Sequence, residues 1–497
     1  MAAAAKTSAE PVALPVGPED RAFVDFQNDV TVADIRLAAQ ENFVSVEHLK
    51  RYTTLGMAVD QGKTSSVTAI ALMGQMTGRP PGDVGTTGFR PPYTPTALSA
   101  LRGLGRGAAY APFKRSSLHD RHEQLRASFE DYGGWTRPAH YLRQGEDRDA
   151  AMRREALAVR HRAGLFDATP LGKIEVSGPD AGMFLDRIYA NRMSNLAVGR
   201  VRYGMMLSEF GVIVDDGVVA RMADDRFLVG STSGGADRVA AILEEWLQCE
   251  WRDLSVIVAP VTTCWGNVTL AGPNARKILD RARCDIPLDN ESFPHLSWRE
   301  ASVAGLNARI ARVSFSGELS YEISVDWNRT PGLWDSLAQA AEPFGGAEPV
   351  GIDAWMLLRL EKGFLHVGAD TEGTTVPDDV SWTKVAARAG DFIGKRSLLW
   401  AVNREPGRLQ LVGLEAVDGR TVPPVGAHFA SDDHRFRTSG FVTSSEFSPI
   451  LDRPVALALV RGGRNRLGEV LHLLRSGDAY RKVQPCFYDQ SGERMNG

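Results

Sequence analysis

Cysteine is scarce in this chain: there are four among 497 residues, Cys249, Cys264, Cys284 and Cys486, with no CxxC pair and no Cys/His cluster. A thiolate-bound metal needs ligands at close, recurring spacing, so none is expected; ordinary buried thiols in a reduced, cytoplasmic protein fit the pattern. Long apolar runs are missing too. None approaches the roughly eighteen residues of a spanning helix, which argues against membrane insertion. The first twenty residues, MAAAAKTSAEPVALPVGPED, lack the apolar core of a secretory signal. Nor is positive charge in excess: 57 Lys plus Arg stand against 61 acids, for a net charge of −4. Without a basic stripe to neutralise phosphates, nucleic acid is not an expected partner.

Nucleotide and nucleophile motifs are absent as well. There is no GxGxxG, no P-loop lysine and no GxSxG, and the ten histidines are scattered. The glycine-rich GSTSGGADRV, Gly230–Val239, therefore reads as a strand-to-helix turn whose helix N-terminus offers at most an anion site.

What is present is a chain of 43% hydrophobic residues, enough to bury cores in about two to four domains. Residues 1–20 read as a flexible arm and 21–77 as a helical module, in which Thr31 is placed to cap a helix from Val32 with Ile35, Leu37 and Ala38 inward. Proline and glycine make 78–117 an extended linker. Over 118–400, strand-like KIEVSG, RYGMMLS, VIVDDGVVARM and RFLVGST alternate with helix-like AGMFLDRIYANRM and ADRVAAILEEWLQ, which predicts an α+β fold with antiparallel sheets. The strand-rich 401–497 reads as a C-terminal β-barrel domain.

Three stretches carry chemistry. SEFGVIVDDGVVARM, Ser208–Met222, has the outline of a hairpin, and alternation puts Val212, Val214, Asp216 and Val218 on one face and Ile213, Asp215, Gly217 and Val219 on the other. Each acid has apolar neighbours, so its pKa should rise unless donors meet it, but alternation alone does not choose between them, and a solvated strand-end acid fits as well. In RVSFSGELSYEISVD, Glu322, Ser324 and Asp326 alternate with Tyr321, Ile323 and Val325; by residue pattern the polar set is expected to face water. GIDAWMLLRLEKGF has the spacing of a packed helix, with Arg359 and Glu361 suited to structural ion pairs.

In order along the chain, REALAVRHRAGLFDATPLGKIEVSGPDA, YGMMLSEFGVIVDDGVVARMADDRFLV, VTLAGPNARKIL, SFSGELSYEISV, LRLEKGFLHVGADTEGTTVPDD and DFIGKRSL resemble the aminomethyltransferase family, the folate-binding T-protein of the glycine cleavage system. The N-terminal module, TTGFRPPYTP and the closing CFYDQSGERMNG resemble, more narrowly, the C-terminal half of the α subunit of heterotetrameric sarcosine oxidase. The chain begins where that family's dinucleotide-binding half would end; it is either a naturally split subunit or a piece of a longer one, and the initial Met with its Ala-rich arm favours a natural start. The module also resembles ferredoxin-like domains that bind a two-iron cluster. Its matching positions are Asp25, Gln27, Asp60 and Ser65, and a cluster needs thiolates, which implies a cluster-less relic used in subunit contacts.

The resemblance implies tetrahydrofolate as cofactor, with FAD or FMN on or shared with a partner subunit. Asp216 is implied as the catalytic acid beside the reactive nitrogens, Glu322 as the acceptor for the amino-pyrimidine side, and Tyr203 and Met205 as cavity walls. Trp355 stands where the glycine-cleavage enzyme has an arginine, and Ser231–Ser233 where it has an asparagine. The implied partners are a flavin-carrying β-like subunit, small accessory subunits and a separate dinucleotide-binding subunit, with an N-methyl amine as small-molecule substrate. The implied activity is that of a sarcosine oxidase or dehydrogenase subunit passing the oxidised methyl carbon to tetrahydrofolate. A free-standing tetrahydrofolate-dependent O-, S- or N-demethylase, and a scaffold without folate binding, are the alternatives.

Overall fold

The computed structural model describes residues 21–497 except positions 92, 104, 106, 108, 109, 111 and 432–436; the expected arm, 1–20, lies outside them. Contacts divide the chain into two units, Met1–Pro112 and Phe113–Gly497.

In the first unit Thr31 caps the helix Val32–Gln40 with a reciprocal pair. Its hydroxyl accepts from Asp34 N, and the Asp34 carboxylate accepts from Thr31 N at 2.8 Å. Helices Val46–Thr53 and Ser66–Thr77 complete a small core around Ile35, Ala38, Leu49, Ala69 and Leu72. Leu37, expected inward, is 46% exposed, because Ile35 and Ala38 already define the inner stripe and Leu37 falls outside it. The Pro/Gly stretch carries two single-turn helices, Pro81–Val84 and Leu98–Leu101. At the cluster-like positions Asp25 accepts from Gln27 N, Asn28 N and Gly56 N, and Asp60 accepts from Gly62 N and Thr64. These carboxylates satisfy the loop amides from within.

The second unit is built on three larger sheets. A five-stranded antiparallel sheet runs Ile257–Pro260, Gly172–Ser177, Arg226–Ser231, Ile213–Ala223, Val201–Leu207. A six-stranded sheet runs Ser297–Val303, Leu306–Arg312, Ser320–Asp326, Trp265–Ala271, Gly164–Asp167, Glu348–Val350, and its last pair is parallel. The third, in the order His428–Ala430, Thr438–Ser448, Arg453–Arg461, Leu409–Ala416, Ala479–Val483, Val470–His472, bends round until Phe429 bridges Leu473, a nearly closed C-terminal barrel.

Alternation gives each of the first two sheets one helix-covered face. Ile174, Val176, Val219, Phe227 and Val229 are buried under helices Ala181–Ile188 and Ala236–Glu245. Val268, Leu270, Ile310, Tyr321, Ile323 and Val325 are buried with helices Ala275–Arg281 and Thr330–Ala341. Each such side chain contributes about 1.5–3 kcal/mol by leaving water, which fixes the register and hence what the opposite faces present.

Buried ion pairs fasten the helix Ile352–Lys362. Arg160 binds Glu361 at 2.6 Å and Glu318 at 3.0 Å, and Arg359 binds Asp370, which also accepts from Thr443 and Ser444 of the barrel. All four cysteines are free. Cys284 and Cys486 are half-buried and Cys249 and Cys264 exposed, so the expectation of buried thiols is corrected; the two exposed ones lie on a helix end and a surface turn.

Candidate functional site

The helix-free faces of the first two sheets, with segments from the barrel, enclose a cavity of about 730 Å³. In Ile213–Ala223, Asp216 and Val218 enter it. Asp215 points the other way: its carboxylate accepts from Thr232 N and Thr232 Oγ1, each at 3.1 Å, and lies against Gly235. The helix N-terminus expected as an anion site is thus already met by an anion of the chain itself.

Asp216 Oδ2 accepts a hydrogen bond from Tyr203 Oη at 2.7 Å. Burial pushes the Asp216 carboxyl up to about 7; the Tyr203 hydrogen bond opposes this and the neighbouring Asp215 charge adds to it. Burial also raises the Tyr203 phenol, which keeps it a neutral donor.

From the second sheet Glu322 and Ser324 enter the cavity, while Tyr321, Ile323 and Val325 are fully buried on the other side. The expectation that this polar set faces water is corrected for both. A period of two separates two faces but carries no sign of whether the polar one meets solvent or an enclosed space. Burial raises the Glu322 carboxyl, against the nearby Lys173 charge and a 3.5 Å contact from Asn267 Nδ2.

Trp355 stands in the wall, its ring 5.0 Å from Phe166. A guanidinium is present beside it all the same, for Arg137, from the strand Trp135–Tyr141, lies 5.7 Å over the Trp355 ring. Met205, expected as a wall, is fully buried with Leu207, Ile213 and Leu360 and is not among the lining residues. Ser231–Ser233 do line the cavity.

Three cations of the wall escaped the reading of the sequence: Arg309, which pairs with Glu175 at 3.1 Å, and two more held by a single loop. Arg137 Nη2 donates to Asp167 O at 3.1 Å, and Lys173 Nζ donates to Thr169 O at 3.0 Å and Leu171 O at 2.8 Å, so one loop anchors both. That loop is itself fixed from behind. Asp167 accepts from Ser116 Oγ at 2.5 Å and from Thr169 N at 3.0 Å, and meets His122 Nε2 at 3.1 Å. Ser, His and Asp meet there, but the serine bonds the acid rather than the histidine and all three are buried, so the cluster is scaffolding. The available signal was a lysine inside the apolar run GKIEV. His295 and His366, also in the wall, are pushed down to about 4 by burial and nearby arginines and are neutral at pH 7.

Tetrahydrofolate, the group implied by the sequence resemblance, fits this set. The cavity has aromatic walls in Tyr203, Trp298, Phe315, Trp355 and Trp382 for a flat heterocycle. Glu322 offers acceptor oxygens to ring N–H groups, and Asn267 Oδ1 is buried with no partner among the described residues.

Residues 118–387 match the GCVT N-terminal domain family, residues 410–489 the glycine cleavage T-protein C-terminal barrel domain, and residues 19–103 the sarcosine oxidase A3 domain. The chain is 41% identical over 484 residues to the sarcosine oxidase subunit alpha of Corynebacterium sp. (strain P-1), covering 96% of this chain and 50% of that one. It therefore spans about half the length of the α subunits it matches. It is 30% identical over 347 residues to the aminomethyltransferase of Thermotoga sp. (strain RQ2), covering 70% of this chain and 89% of that one. The glycine cleavage system aminomethyltransferase T from Bartonella henselae superposes with a TM-score of 0.66 at 27% identity, covering 76% of this chain and 98% of that one.

Proposed function

Because the chain belongs to the aminomethyltransferase family of the glycine cleavage T-protein, we propose that its cavity binds tetrahydrofolate and that it serves as the folate-binding subunit of a multi-subunit, flavin-dependent oxidase or dehydrogenase of sarcosine or a related N-methyl amino acid. The observation that carries this reading is Asp216: a carboxylate fixed by Tyr203, in a cavity with aromatic walls, its pKa pushed up to about 7 by burial. The similarity to sarcosine oxidase α subunits supports the oxidase context, with flavin chemistry on a partner chain.

When bound, tetrahydrofolate supplies the nucleophilic nitrogens that take up a carbon at the oxidation level of formaldehyde, the product being 5,10-methylenetetrahydrofolate. The chain's own residues provide the setting. Asp216 Oδ2 accepts or returns a proton near neutral pH, and its ionised form stabilises positive charge developing beside it. Tyr203 Oη holds that carboxylate in one orientation. Glu322 accepts N–H hydrogen bonds from the amino-pyrimidine side, more strongly in its ionised form, which the Lys173 charge favours. The apolar and aromatic walls keep water from the reactive carbon.

The test is Asp216→Ala in the complex with its partners. Amine oxidation should continue at nearly the wild-type rate, folate-dependent capture should fall by about 100-fold or more, and formaldehyde should appear in solution instead. Equal capture by the two proteins would reject the role. Turnover by the chain alone, without a flavin partner, would support a self-sufficient demethylase in its place.

A further inference from the structure

Lys173 has a charge where its strand otherwise serves the core: Ile174 and Val176 beside it are buried, and Lys173 itself is 5% exposed. An ammonium has three N–H donors. Two are committed to Thr169 O and Leu171 O, no salt bridge to a carboxylate forms among the described residues, and the side chain borders the cavity. One donor of a buried, fixed cation is thus left for whatever the cavity holds. Burial brings its pKa down to about 8, a value at which it remains mostly charged at neutral pH, helped by the Glu322 carboxylate nearby.

Its position between the two acids is set by the sheets. Glu322 is close enough to stabilise its charge. On the other side, Lys173 pairs with Gly230, Gly230 lies beside Val218, and Val218 pairs with Tyr203. Paired residues share a face, and Asp216 is two residues from Val218, so Lys173 and Asp216 stand on one face of one sheet, with Gly230, which has no side chain, next to Lys173.

A reduced pteridine presents, in order round its edge, N–H donors at the 2-amino and N3 positions, an acceptor at the 4-oxo group, and the reactive N5. With Glu322 at the first and Asp216 at the last, the group between them must be a donor. On the folate reading above, we propose that Lys173 donates a charge-assisted hydrogen bond to the 4-oxo oxygen and makes the cavity selective for 4-oxo over 4-amino pteridines. A 4-amino group would turn its own N–H bonds toward an ammonium that cannot accept them.

Calorimetric titration of the full chain, kept anaerobic, with tetrahydrofolate and with its 4-amino analogue tests this. The wild type should prefer the 4-oxo compound by about tenfold or more, the usual worth of a hydrogen bond to a charged group. In Lys173→Met, tetrahydrofolate should weaken by about that factor while the 4-amino analogue keeps or gains affinity. In Lys173→Gln, whose amide both donates and accepts, the preference should narrow to what the N3–H bond to Glu322 still supplies, since a 4-amino pteridine carries no hydrogen at N3. An unchanged preference in a Met variant that melts at the wild-type temperature, or an equal loss for both ligands, overturns the assignment. Binding of neither ligand to the wild type would instead remove the folate reading, and this inference with it.

Discussion

At the scale of single residues, Asp216 and Tyr203 act as one unit. The capture step is assigned to the ionised carboxylate, and its pKa is about 7. Folate-dependent capture should therefore rise with pH through about 7 and level off above it. The Tyr203 hydrogen bond favours the ionised form, so its removal raises the pKa further. Tyr203→Phe should move the inflection to higher pH while amine oxidation by the partner keeps its own profile. An inflection that stays in place would assign the titration to another group. Alternation along the strand narrowed the acid to two neighbours without separating them, and only the family resemblance pointed to Asp216. The structure shows what separates them physically: one is spent on Thr232 and a helix end, the other faces open space and a single phenol.

At the scale of elements, the pairing of Ile213–Ala223 with Arg226–Ser231 depends on Gly217. A Cβ there would lie 2.2 Å from Gly230 O, a backbone atom that cannot move aside. Gly217→Ala should force the two strands apart, destabilise the chain by about 1–3 kcal/mol in urea denaturation, and weaken folate binding because Asp216 is the preceding residue. Periodicity was the part of the architecture most legible in the sequence: the hairpin and the buried side of each strand follow from alternation, while the helix at Thr31 follows from its capping residue. What alternation could not supply was the identity of whatever faces the polar side. Glu322 and Ser324 look like solvated residues until a second sheet closes over them, and Lys173 looks like an interruption in an apolar strand until two carbonyls are seen to hold it.

At the scale of the whole molecule, the helical module and the cavity-bearing unit answer to different constraints. In the module, carboxylates at Asp25 and Asp60 already occupy loop amides. Purified protein should accordingly contain neither iron nor acid-labile sulfide, and a stoichiometric amount of either would show that other ligands assemble a cluster. Overall architecture was readable because family motifs recur in order; the cavity was not, because its walls are drawn from Tyr132 near the start of the second unit to Pro485 near its end. Such a site has no local precursor. A chain emerging from the ribosome has no such cavity until its last segments are in place, so a ligand held there would bind only finished molecules and would reinforce the distant elements that line it against unfolding.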